Sequence, residues 1–134
     1  MTGAVVAVQA ALVAALKAHP SIGNAVSGVF DGAPARAPHP YIVVDGGIAS
    51  DWSHKTARGR EQRVGIVIHD DARRPARLHT LMADAERAIE AMARALDDHR
   101  VASVTFLRSR VARDPAGPWA GLIEYRVRTI EVGA

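Results

Sequence analysis

Glu61-Gln62-Arg63-Val64-Gly65-Ile66-Val67-Ile68-His69, followed from Arg74 onward by Leu78, Leu81, Met82, Ala85, Ile89, Met92 and Leu96, is the stretch whose reading decides the fold. In its first part Val64, Ile66 and Ile68 fall on one side and Glu61 and Arg63 on the other, the period-two pattern of a half-buried strand. In its second part the apolar residues recur at spacings of three and four, while Asp84, Glu86, Arg87, Glu90 and Arg94 take the opposite side. That spacing predicts a helix from Arg74 to Leu96, about 22 residues and roughly 33 Å long. Asp70 or Asp71 is placed to cap its free amides, and Pro75 suits its first turn, where a missing N–H costs nothing. A helix of this length spans a small sheet, so the strands are expected to lie across it.

Working outward, residues 4–18 are nearly all Ala, Val and Leu, with Val5, Val8, Leu12 and Leu16 in a helical stripe that His19-Pro20 ends. Residues 19–40 hold four prolines (Pro20, Pro34, Pro38, Pro40) and three glycines (Gly23, Gly28, Gly32) and read as a connecting segment, with at most a short extended piece at Val29-Phe30. Tyr41-Ile42-Val43-Val44 is a central strand by its lack of polarity, and Gly46-Gly47 marks its bulge or end. Residues 49–60, polar and cationic around Trp52, read as a loop protruding between the strands at 41 and 61.

Beyond the long helix, Asp97-Asp98-His99-Arg100 reads as a polar turn. Residues 101–113 then alternate, with Val101, Ser103, Thr105, Leu107, Ser109 and Val111 opposite Val104, Phe106, Arg108 and Arg110. Asp114-Pro115-Ala116-Gly117-Pro118 has turn chemistry. A last strand from Trp119 to Val132 sets Ile123, Tyr125 and Val127 against Glu124, Arg126 and Arg128. The expected architecture is a single α+β domain over residues 1–134. It has a mostly antiparallel sheet of about four strands, two helices packed on one face, and the order α-β-β-α-β-β. The face bearing Arg108, Arg110, Glu124, Arg126 and Arg128 is left to meet water or a partner.

Composition narrows the function. A chain of 134 residues without cysteine has neither a disulfide framework nor a cysteine-ligated zinc site. No signal-peptide pattern or membrane-length apolar run is seen, so a protein made in the cytoplasm, without membrane contact, is expected. The net charge of +3 is interleaved rather than massed, unlike a dedicated nucleic-acid surface. His69, Asp70, Asp71 and His79 are the nearest approach to a metal or acid–base cluster, but their spacing fits no ligand pattern, and the two aspartates are accounted for as helix caps. Arg73, Arg74 and Arg77 form a small cation cluster at the helix start. Residues 28–32 lack the Lys-Ser/Thr of a phosphate loop, and no serine sits in a Gly-x-Ser-x-Gly elbow. No catalytic residue, cofactor or metal site is therefore expected.

A family resemblance enters with the order of the motifs. The Ala/Leu-rich helix ends at His19-Pro20, and Val29-Phe30-Asp31-Gly32 precedes the proline-rich run. Then come Pro40-Tyr41-Ile42-Val43-Val44, Asp51-Trp52-Ser53-His54-Lys55, the strand and long helix, and Arg113-Asp114-Pro115 before the terminal strand. Over almost the whole chain this resembles the tail terminator, or tail completion, proteins of long non-contractile-tailed phages. More narrowly it is similar to the version carried by the gene transfer agents of alphaproteobacteria. Asp51, Trp52, Lys55 and Thr56 match the family's loop and Tyr41 its strand start.

The resemblance implies a structural protein of a phage-like particle. It would be a hexameric ring capping the head-proximal end of the tail tube, ending tube polymerisation and docking the head connector, or stopper, with DNA passing only transiently through the channel. Residues expected at its contacts with other copies or partners are Asp51, Trp52, His54, Lys55, Thr56, Arg58, Arg60, Arg108, Arg110, Glu124, Arg126 and Arg128. Two rival readings are a small dimeric α+β ligand-binding or regulatory domain and an enzyme built on His69, Asp70 and His79.

Overall fold

A computed structural model describes residues 3–113, 115 and 117–132. Its centre is three long strands: β4 (Gly59–Asp70), β6 (His99–Arg113) and β7 (Trp119–Glu131), with β7 between the other two and antiparallel to both. On the far side of β4 lie β2 (Tyr41–Asp45) and, beyond a break at Gly46-Gly47, β3 (Ala49–Asp51); both pair with β4 in antiparallel register. β1 (Val29–Asp31) adds to β2 in parallel, and the two-residue β5 (Ala95–Leu96) pairs with the start of β6. The helices are α1 (Ala4–Ala18), α2 (Pro20–Gly23) and α3 (Ala76–Glu90).

Among the described residues the fold is thus a seven-stranded mixed sheet with three helices, which corrects the expected four-stranded antiparallel sheet with two helices in the order α-β-β-α-β-β. The difference lies in short elements. Pro20 starts a one-turn helix where residues 19–40 read as a connection, and Val29–Asp31 is held as a strand by pairing with Ile42, Val43 and Val44. Three-residue strands owe their existence to the partner strand, so hydropathy alone does not announce them. Residues 49–60 also fold back rather than protrude freely, since Ala49, Ser50 and Asp51 pair with Gln62, Glu61 and Arg60.

The long helix is shorter than its apolar stripe. α3 spans 15 residues and stops at Glu90; Met92 stays in the core from the following turn, while Leu96 pairs in β5. His99 and Arg100 belong to β6, not to a polar turn. Pro75 is the residue before the first helical one, and among the described residues no side-chain hydrogen bond caps the N-terminus of the helix. Asp70 is engaged elsewhere, accepting from the Ala72 amide and from Arg77 Nε at 2.9 Å. Two positions of the expected turn, Asp114 and Ala116, lie outside the described residues.

One core joins these parts. Val8, Leu12 and Leu16 of α1 and Leu78, Leu81, Met82, Ala85 and Ile89 of α3 bury against Val64, Ile66 and Ile68 of β4 and Ile123, Tyr125 and Val127 of β7. Truncating a residue such as Leu12 or Ile66, each 0% exposed, would cost about 2–5 kcal/mol. α3 rides close because Gly121 of β7 has no side chain: a Cβ there would lie 2.6 Å from Met82 Sδ. Gln9, buried on α1, donates to the Val44 carbonyl and to Asp31 Oδ1, both at 2.9 Å, and so ties the helix to β1 and β2. Tyr125, fully buried, donates its hydroxyl to Glu90 Oε2 at 2.7 Å. Burial first, and then that carboxylate, pushes the Tyr125 pKa well above its usual value. The side of the sheet away from α1 and α3 carries the charge.

Candidate assembly surface

On that outer side, alternate residues of β4, β7 and β6 meet in direct register: Glu61 opposite Arg128, Arg63 opposite Arg126, and Glu124 opposite Arg108. The phase of β6 is set by two bulges, between Val101 and Ser103 and between Phe106 and Arg108. Each skips one residue. Val101, Val104, Phe106 and Val111 consequently face the helices, while Ser103, Thr105, Arg108 and Arg110 face outward. The strict alternation that set Phe106 beside Arg108 and Arg110 is corrected accordingly.

The outer face of these three strands holds Arg63, Arg100, Arg108, Arg110, Arg126 and Arg128 against Glu61 and Glu124, six positive groups to two negative, or +4 formally. Arg128 Nε donates to Glu61 Oε1 at 2.8 Å, and Arg108 donates through Nε and Nη2 to Glu124 Oε1 at 2.9 and 2.7 Å. Arg126 shares Glu61 only at 4.0 Å, and its Nε is buried without a hydrogen-bond partner. Arg63 and Arg110 make no ion pair among the described residues. Directly opposed like charges such as Arg63 and Arg126 destabilise a sheet. This is a local cost that an anionic partner would remove.

The loop after β3 folds onto one edge of this face. Trp52 donates its amide to the Gly59 carbonyl at 3.0 Å, Gly59 donates to Ser53 Oγ at 3.1 Å, and Ser53 Oγ donates to Asp51 Oδ1 at 2.6 Å. The Ser53 hydrogen bond, with help from Arg60 and Arg58, holds the Asp51 carboxyl below its usual range. The Arg128 guanidinium lies 5.2 Å from the Trp52 ring centre, and His54 meets the same ring edge-on at 4.7 Å. Lys55 and Thr56 are exposed at the loop tip.

Of the residues singled out from sequence, Trp52, His54, Arg108, Arg110, Glu124, Arg126 and Arg128 are therefore brought to one connected surface. Asp51 supports the loop through Ser53 and pairs with Arg60 at 3.4 Å. Arg58 and Arg60 are placed elsewhere: Arg60 pairs in register with buried Thr129, and both line a cleft of about 230 Å³ beside Gly3, His99 and the start of α1. Glu61 and Arg63 complete the face but were not among the sequence candidates. The signal was present in the alternation of β4.

The residues of the metal or acid–base reading do not converge. Asp70 is paired with Arg77, His69 stacks on Tyr41 at 4.7 Å, and His79 is exposed on α3. The His69 imidazole holds its proton less readily than usual, first because it is partly buried and then because His39 is near. The cation cluster at the helix start is divided, with Arg77 bound to Asp70 and Asp71 while Arg73 and Arg74 are exposed.

The family described as Tail completion protein gp17 matches residues 10–130, from within α1 to the end of β7. The chain belongs to that family. A chain from the virion of a native gene transfer agent particle is similar in structure, with a TM-score of 0.79 and 25% sequence identity over 96% of this chain and 99% of that one. Among curated proteins none matches. The resemblance read from the motif order, to tail completion proteins in their gene transfer agent version, thus holds in sequence and in fold. A structural role in a phage-type tail follows for this tail completion protein. The match runs through every strand of the charged face, so that face is part of the family domain rather than an appendage.

Proposed function

We propose that this tail completion protein closes into a hexameric ring that caps the head-proximal end of a tail tube, ends its polymerisation and presents the docking surface for the head connector. DNA then crosses its channel only in transit. The observation that supports this reading is the outer face of β4, β7 and β6. Among the described residues no helix covers it, its arginines outnumber its carboxylates, and it sets Arg63 against Arg126. A monomer has no reason to keep a like-charged pair at the middle of its sheet; a face completed by protein carboxylates from neighbours does. Trp52, of a residue type enriched at interface hot spots, extends the contact area, with Lys55 and Thr56 at the loop tip. Closed rings need unlike patches in contact, which a one-sided domain of this kind provides.

The test is mass measurement of the purified protein alone and with tail-tube protein, beside electron microscopy of tube ends. Ring formation or capped tubes is the expected outcome. Reversing charge in an Arg126→Glu/Arg128→Glu variant that keeps its fold should weaken assembly. Particles with normal tails from that variant would overturn the assignment of the face.

A further inference from the structure

Resting on the ring reading above, we propose that neighbouring copies join sheet edge to sheet edge, the open edge of β6 in one copy taking the edge at residues 45–51, the end of β2 and β3, of the next. β5 covers only the first two residues of β6, and the Val101 amide bonds to the Arg94 carbonyl. From residue 102 to 113 the outer edge of β6 has no backbone partner among the described residues. A long open edge is a template for another strand. Its residues are exposed or half-exposed throughout, and Phe106 remains 42% exposed although it faces the helix side.

On the opposite side β1 covers β2 only as far as Val44, and residues 45–51 beyond it match the β6 edge in register and charge. One cross-strand row runs Asp45, Gly65, Glu124, Arg108, with acid at one margin of the sheet and arginine at the other. A second runs from Ile48, whose carbonyl accepts from the Arg63 amide at 2.8 Å, through Arg63 and Arg126 to Thr105. Continuing these rows into a second copy sets its Asp45 beside Arg108 and near Arg110, and its Ile48 beside Thr105, all on the outer face. Ile48 is 74% exposed, the most exposed large apolar residue described. β6 runs parallel to β4 while β2 and β3 run antiparallel to it, so the added edge lies antiparallel to β6. The two edges are unlike, which gives the head-to-tail contact a closed ring needs.

The chain has no cysteine, so a crosslink can be placed without background. Directly opposed residues of antiparallel strands have Cα atoms about 4.5–5.5 Å apart, within disulfide range. An Ile48→Cys/Thr105→Cys variant, assembled and oxidised, should give a ladder of covalent oligomers on a denaturing gel, while either single variant gives none. Asp45→Lys or Arg110→Asp alone should lower ring yield about tenfold, and the two together should restore it. Rings that form without the ladder, or single charge variants that assemble normally, overturn this edge contact and leave the ring reading in place. Failure of the unmodified chain to self-associate, alone and with tube protein, overturns both.

Discussion

Arg128 lies over the Trp52 ring at 5.2 Å while its Nε is hydrogen-bonded to Glu61 at 2.8 Å, so one guanidinium fastens the loop after β3 to the charged face of the sheet. Removing the ring tests that link. Trp52→Ala should cost about 0.5–1 kcal/mol in chemical denaturation. It should also raise hydrogen exchange in residues 52–58 without changing exchange in the core of β7. If assembly with tube protein is unaltered in that variant, the loop is no part of the contact.

The buried carboxylate at the end of β4 predicts how the fold responds to acid. Arg77, hydrogen-bonded to Asp70, and the Ala72 amide hold the Asp70 pKa below the usual carboxylate range. Because the folded value lies below the unfolded one, the stabilisation is complete above about pH 4 and is lost as pH falls through the lowered value. Denaturation series from pH 7 downward should show that loss in the parent and little of it in Asp70→Asn. The variant should start about 2 kcal/mol less stable, a figure kept moderate because Arg77 is half exposed.

Tyr125 predicts the alkaline side. Burial and then Glu90 raise its pKa, so its contribution is whole below the ordinary phenol value of about 10 and is lost as pH rises above it. Tyr125→Phe should remove the hydrogen bond to Glu90 at a cost of about 1 kcal/mol at pH 7, and flatten the fall in stability above pH 10. Thermal denaturation at neutral and alkaline pH is the measurement.

Backbone geometry separates two glycines. Gly47 has φ +62° and an added Cβ would sit 2.1 Å from the Arg63 carbonyl oxygen, whereas Gly32 has φ +87° with nothing within 4 Å. Gly32→Ala should therefore cost only the left-handed conformation, about 1–2 kcal/mol. Gly47→Ala adds a backbone clash that only separation of β3 from β4 relieves, and should cost roughly 1 kcal/mol more. Urea denaturation of the pair decides it. Equal losses would mean that the β2–β3 junction yields without strain.

What the amino-acid sequence by itself determined are the elements that carry their own period. Ile66 and Ile68 against Arg63 mark β4, Ile123, Tyr125 and Val127 against Glu124, Arg126 and Arg128 mark β7, and Leu78 to Ile89 mark α3. Such segments repeat for long enough that side-chain burial alone selects their geometry. Half of the candidate surface was legible for the same reason, since outward residues of a half-buried strand are polar. Tertiary structure alone decided the rest. β1, β3 and β5 are two or three residues each and exist through pairing, the bulges in β6 shift phase through backbone geometry, and Trp52 meets Arg128 only because β3 turns back onto β4. Pairing between distant segments leaves no periodic mark on either one, and so it becomes visible only when the chain has folded.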